Sequence, residues 1–148
     1  MKFEKTMSVK APREAVWTFL WDVPRVAACI PGCKSAQVVE EGKRYTAVVT
    51  EKIGPFKVEF PLAIEVLEAQ APERLKARAG GKDTKVDGLV RVELDLQLAE
   101  AGGGTEMRLS ADISVLGKLG TLGHSVIVRR GDEVVAKFAD ALRAQLER

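Results

Sequence analysis

Few residues in this sequence are of the types that break bonds or hold metals, and their spacing narrows them further. The only histidine is His124, so a site built on two imidazoles is excluded. A lone histidine beside a glycine reads first as a packing or surface residue. Cys29 and Cys33 stand four apart across Pro31-Gly32, a turn that could bring their sulfurs together. Two thiolates make only half of a closed metal site, so burial or turn packing is the plainer role, and redox or metal chemistry would need ligands from a partner. Gly102-Gly103-Gly104 lacks the Lys-Ser or Lys-Thr of a phosphate cradle and does not join a strand to a helix; it reads as a hairpin loop. Gly80-Gly81 reads as a turn. No catalytic group, metal site or cofactor is expected from these residues.

The acidic residues Glu59, Glu65, Glu93 and Asp95 fall at outward strand positions opposite Lys and Arg, as solvated ladders rather than a general acid and base pair. Glu51 differs. In register with Tyr45, Ala47 and Val49 it points inward, so Tyr45 and Glu51 are the two polar candidates for the interior. An enzyme reading would make one of them the acid or base of a cyclase or dehydratase.

These positions depend on the segment from Leu116 to Arg148. Leu119, Leu122, Val126, Ile127, Val134, Val135, Phe138, Leu142 and Leu146 recur at three and four residues, one face of a helix. Arg129, Arg130, Asp132, Glu133, Lys137, Asp140 and Arg143 fill the other face, where Arg129, Arg130, Asp132 and Glu133 form a surface that an adaptor could offer a partner. From Lys118 to Gln145 this helix would run roughly 42 Å at about 1.5 Å per residue. Gly120, Gly123, Ile127 and Gly131 share a face, and each interior glycine costs about 1 kcal/mol relative to alanine. Close packing against a strand, or room for a ligand, would account for them.

Ahead of that helix, Phe3 to Val9 reads as a strand. Pro12 opens a helix with Ala15, Val16, Phe19 and Leu20 as its apolar stripe, and Asp22-Val23-Pro24 starts a second that ends before Pro31-Gly32. From Ser35 the period becomes two. Strands follow over 35–40, 44–53, 56–66, 74–79, 90–99 and 107–115, with Pro61 turned outward. Seven strands with one apolar face each, and one long amphipathic helix to cover them, predict an α+β domain over residues 1–148. Its curled antiparallel sheet wraps a long C-terminal helix, with two short helices after the first strand. This order is that of the helix-grip fold.

In such a fold Phe56, Val58, Phe60, Leu94, Leu96, Leu109 and Ile113 line the space between sheet and helix, with small Ala77 and Ala79. Tyr45, Gly123, Ile127 and Gly131 complete the candidate ligand-binding set. The expectation is an elongated hydrophobic ligand there; the alternative is a core packed solid.

Composition narrows the partners. With 46% hydrophobic and 30% charged residues and a net charge of +2, the chain has the make-up of a soluble domain and no footprint for nucleic acid. The N-terminus has no apolar signal region, and no apolar run approaches about 18 residues. Together with two cysteines, too few for a disulfide framework, this predicts a cytoplasmic protein.

Closer strings point to a family. Ala11-Pro12 with Val16-Trp17, Cys29-Ile30-Pro31-Gly32-Cys33, Ile53-Gly54-Pro55, Val115-Leu116-Gly117-Lys118-Leu119-Gly120 and Phe138 resemble the CoxG family, named for the G subunit of carbon monoxide dehydrogenase, within the helix-grip, START-like and polyketide-cyclase superfamily. The resemblance implies a non-enzymatic accessory protein of a molybdenum hydroxylase, concerned with its assembly or membrane attachment, and molybdenum hydroxylase subunits as partners. It makes an isoprenoid quinone or a lipid the candidate ligand. Some relatives carry a C-terminal extension that could reach a membrane; this chain stops at Arg148, so anchoring does not carry over. Peripheral contact with the inner face of the membrane stays open through the loop at Ile53-Gly54-Pro55-Phe56.

Overall fold

The computed structural model describes residues 1–83, 85 and 87–147. Strand β1 (Lys2–Val9) leads into helices α1 (Arg13–Leu20) and α2 (Val23–Cys29). Strands β2 (Cys33–Glu40), β3 (Arg44–Ile53), β4 (Phe56–Gln70), β5 (Arg74–Asp83), β6 (Gly88–Ala101) and β7 (Gly104–Gly117) follow, then a 3-10 turn (Lys118–Leu122) and helix α3 (His124–Leu146). The strands form one antiparallel sheet in the order β1-β7-β6-β5-β4-β3-β2, and α3 packs on β1 and reaches β3. This is the helix-grip arrangement.

Two local departures have physical causes. The expected long helix is broken: α3 has 23 residues, about 35 Å at about 1.5 Å per residue, and begins only after Gly123, whose φ of 98° no helix accommodates. Gly120 lies in the 3-10 turn before it, so only Ile127 and Gly131 of the expected glycine-bearing face belong to α3. The far end of the expected helix, Arg148, lies outside the described residues. Gly80-Gly81 is not a turn but part of β5, where a Cβ on Gly81 would sit 2.5 Å from the Pro61 carbonyl oxygen.

Two clusters form the interior. The larger gathers Val9 and Met7 of β1, Val16 and Phe19 of α1, Leu96 and Leu98 of β6, Met107 of β7, and Ala139 and Leu142 of α3. The smaller joins Val58 and Phe60 of β4 to Leu119 of the 3-10 turn. Gly131 serves the first: a side chain there would overlap the Phe3 ring, so the helix penalty of about 1 kcal/mol allows α3 to lie close to β1.

Two buried polar groups fix the corners. Asp83 accepts hydrogen bonds from the backbone N–H groups of Glu59 (2.6 Å) and Lys85 (2.7 Å), tying the end of β5 to β4. The hydroxyl of buried Thr105 donates to the Ala11 carbonyl at 2.7 Å, which holds the entry to α1 on β7. Thr105→Val keeps the shape and leaves that carbonyl unpaired. It is expected to cost about 1 to 2 kcal/mol in urea unfolding with an unchanged m-value.

Candidate functional site

Alternation brings two sets of side chains face to face. In β3 and β4, Val49 pairs with Phe60, Ala47 with Leu62 and Tyr45 with Ile64, and every second residue points toward α3. From the helix, Ile127, Gly131, Val134, Val135 and Phe138 come at spacings of three and four to meet them. The two faces do not close. Leu62, Ile64, Val90, Val92, Leu94, Ile113, Val134 and Phe138 all face inward and are only half-buried. They surround a cavity of about 330 Å³.

Of the residues expected from the sequence, Phe60, Ala77, Leu94, Leu109, Ile113, Ile127 and Gly131 stand in the cavity wall, as does Ala79. The rest lie elsewhere. Leu96 is sealed in the larger core cluster and Val58 in the smaller, against which Phe56 packs. Gly123 is the exposed cap before α3. Tyr45 does point inward, but at the start of β3, where its hydroxyl accepts the Gly42 N–H at 2.8 Å and closes the β2–β3 hairpin.

Other wall residues were not apparent from strand periodicity. Ile30 and Pro31 reach it from the turn after α2. That turn is docked on β3 by Gly32, whose carbonyl accepts the Thr50 N–H at 2.9 Å and whose φ is 76°. Buried Cys29 precedes it, its thiol donating to the Arg25 carbonyl at 3.4 Å, and burial pushes that thiol pKa up. Cys33 donates separately to the Ser35 carbonyl. Both cysteines are free.

The charged residues of the wall are Glu51, Arg130 and Arg78. Arg78 is exposed and pairs with Glu65 at 3.0 Å. Arg130 does not belong to the outer helix face where its charge suggested: at three past Ile127 and four before Val134 it turns inward. There its Nη2 donates to Glu51 and its Nη1 to Glu133 at 2.7 Å, so one guanidinium bridges sheet and helix. Its Nε is buried and has no partner. Of the strand acids expected in outward ladders, Glu59 pairs with Lys34 and Asp95 with Arg74. The Arg74 hydrogen bonds at 2.7 and 3.2 Å hold the Asp95 carboxyl below the usual carboxylate range. Among the described residues no group of three or more His, Cys, Asp or Glu is placed to hold a metal ion.

The family model for CoxG, the G subunit of carbon monoxide dehydrogenase, matches residues 6–147. The chain belongs to the CoxG family. Its strings at Ile30-Pro31-Gly32 and Leu116 to Gly120 thus acquire structural meanings in this CoxG-family fold: the first is a cavity wall docked on β3, the second the turn that seats Leu119 in the smaller core cluster. Among solved structures, a conserved protein from Geobacillus kaustophilus is 22% identical with a TM-score of 0.88, over 99% of this chain and 95% of that one. A START superfamily protein from Mycobacterium smegmatis is 14% identical with a TM-score of 0.76, over 99% and 97%. At these identities the likeness shows the fold, a START-like helix grip. No curated protein matches the sequence.

Proposed function

We propose that this protein is a non-enzymatic accessory protein of a molybdenum hydroxylase such as carbon monoxide dehydrogenase, and that it holds an elongated hydrophobic molecule, an isoprenoid quinone or a lipid, between the sheet and α3. The observation that carries the reading is the set of inward apolar side chains left half-buried around about 330 Å³. Apolar surface forfeits about 25 cal/mol for each Å² not removed from water, and an apolar guest would recover it. The volume is at the low end of the roughly 300–1,000 Å³ of small-molecule sites. It suits a ring with the first part of a chain, the remainder of a long tail lying outside.

Family membership supports the association with the dehydrogenase. The interior supports carriage over catalysis, since Tyr45 is engaged in its own hairpin and Glu51 with Arg130. No helix among the described residues is long and apolar enough to cross a membrane. Peripheral work at the inner face of the membrane, loading through the β3–β4 hairpin at Ile53-Gly54-Pro55-Phe56, is the corresponding place in the cell.

The test uses N-phenyl-1-naphthylamine, a neutral probe that brightens in apolar surroundings. One equivalent is expected to enter the protein and to be displaced by an octyl-substituted 1,4-benzoquinone. A probe that stays dark at saturating protein would remove the ligand-carrying reading.

A further inference from the structure

We propose that Arg130 selects the ligand's head group, and that the head group is a neutral hydrogen-bond acceptor such as a quinone or ester carbonyl rather than a carboxylate. The inference rests on the ligand-carrying reading and adds to it which end of the guest is recognised and how.

Arg130 stands in the cavity wall beside Glu51, while Arg78, the other cation of the wall, is exposed and paired with Glu65. A guanidinium carries five N–H groups; Glu51 and Glu133 each take one, and the buried Nε has none to give to. A buried donor without an acceptor is costly, and a ligand oxygen entering beside Arg130 would relieve that cost.

Charge decides which kind of oxygen. Glu51 is the less accessible partner, with its side chain 12% exposed, and Glu133 stands at 46%. Two carboxylates already face one guanidinium, so its positive charge is compensated before any guest arrives. An incoming anion at a free N–H would stand beside two carboxylates that share one cation, and in a poorly hydrated place that like-charge repulsion opposes it. A carbonyl meets no such repulsion. It takes a free N–H and leaves the pair intact.

Three guests of matched shape separate the alternatives: octylbenzene, octyl-1,4-benzoquinone and 4-octylbenzoate, each competing with N-phenyl-1-naphthylamine at pH 8. The quinone is expected to displace the probe at about a tenfold lower concentration than octylbenzene, the gain of a hydrogen bond from a charged donor, and the benzoate no better than octylbenzene. In the doubly neutral variant Glu51→Gln with Arg130→Met the quinone's advantage over octylbenzene, both measured in that variant, should fall to within about twofold. Arg130→Lys, which keeps the charge and removes Nε, should lose most of the advantage too. Equal displacement by quinone and octylbenzene in the unaltered protein overturns the proposal, as does the benzoate binding tightest; both results come without any variant. Failure of the probe itself to enter would instead strike the ligand-carrying reading on which the proposal stands.

Discussion

Gly32→Ala is expected to destabilise the protein by about 3 kcal/mol and to open the cavity on the side of α2. Two independent costs meet at this residue. A φ of 76° belongs to the left-handed region, which costs a non-glycine residue on the order of 1–3 kcal/mol. A Cβ there would also fall on the Thr50 carbonyl oxygen, so strand β3 or the turn has to move. The turn is held by the Gly32 carbonyl, which accepts the Thr50 N–H and, at 3.3 Å, its hydroxyl; movement breaks both bonds and carries Ile30 and Pro31 away from the wall. Urea unfolding reads the first effect and probe uptake by the folded fraction reads the second. A variant as stable as the parent, with unaltered uptake, would mean that the turn is not fixed in this way.

Ala77→Phe should have the opposite balance: a folded protein that no longer takes up a guest. Ala77 pairs with Val66 on β4 and Leu94 on β6, and it lines the cavity while only half-buried. A phenyl ring there enters space that is already empty, so stability should hold or rise slightly as apolar surface is covered. A guest would then have to overpack the same space at about 3 kcal/mol, roughly a hundredfold in affinity. Titration with N-phenyl-1-naphthylamine beside thermal unfolding measures both. Unchanged affinity would place the guest elsewhere.

Much of the fold is legible in the sequence because its determinants are local. Val90 to Leu98 and Met107 to Val115 alternate strictly, and alternation fixes which face of a strand is apolar. Seven such faces and one amphipathic helix leave few ways to hide them from water. The break at Gly123 is harder to see, because Leu119 and Leu122 keep a helical spacing through the 3-10 turn, and only the backbone angle of Gly123 separates the two.

The site is less legible than the fold because it is made by approach between distant elements. Leu94, Ile113 and Ile127 are recoverable from period alone, yet Leu96, on the same face as Leu94, lies in solid core because α1 and α3 close over that end. Ile30 and Pro31 reach the wall only by a turn folding onto β3. Arg130 is a different kind of omission: its spacing from Ile127 and Val134 places it on the inward stripe, while its charge argues for solvent. The pair with inward-facing Glu51 resolves the conflict, since each charge offsets the cost of the other's burial.

The most direct measurement is native mass spectrometry of the gently purified protein, followed by solvent extraction and identification of what is released. The predicted result is a population heavier than the bare chain by one lipophilic molecule bearing a carbonyl, lost on extraction and restored by adding back an alkyl-benzoquinone. A protein that carries nothing, and takes up neither quinone nor lipid when offered them, would contradict the account.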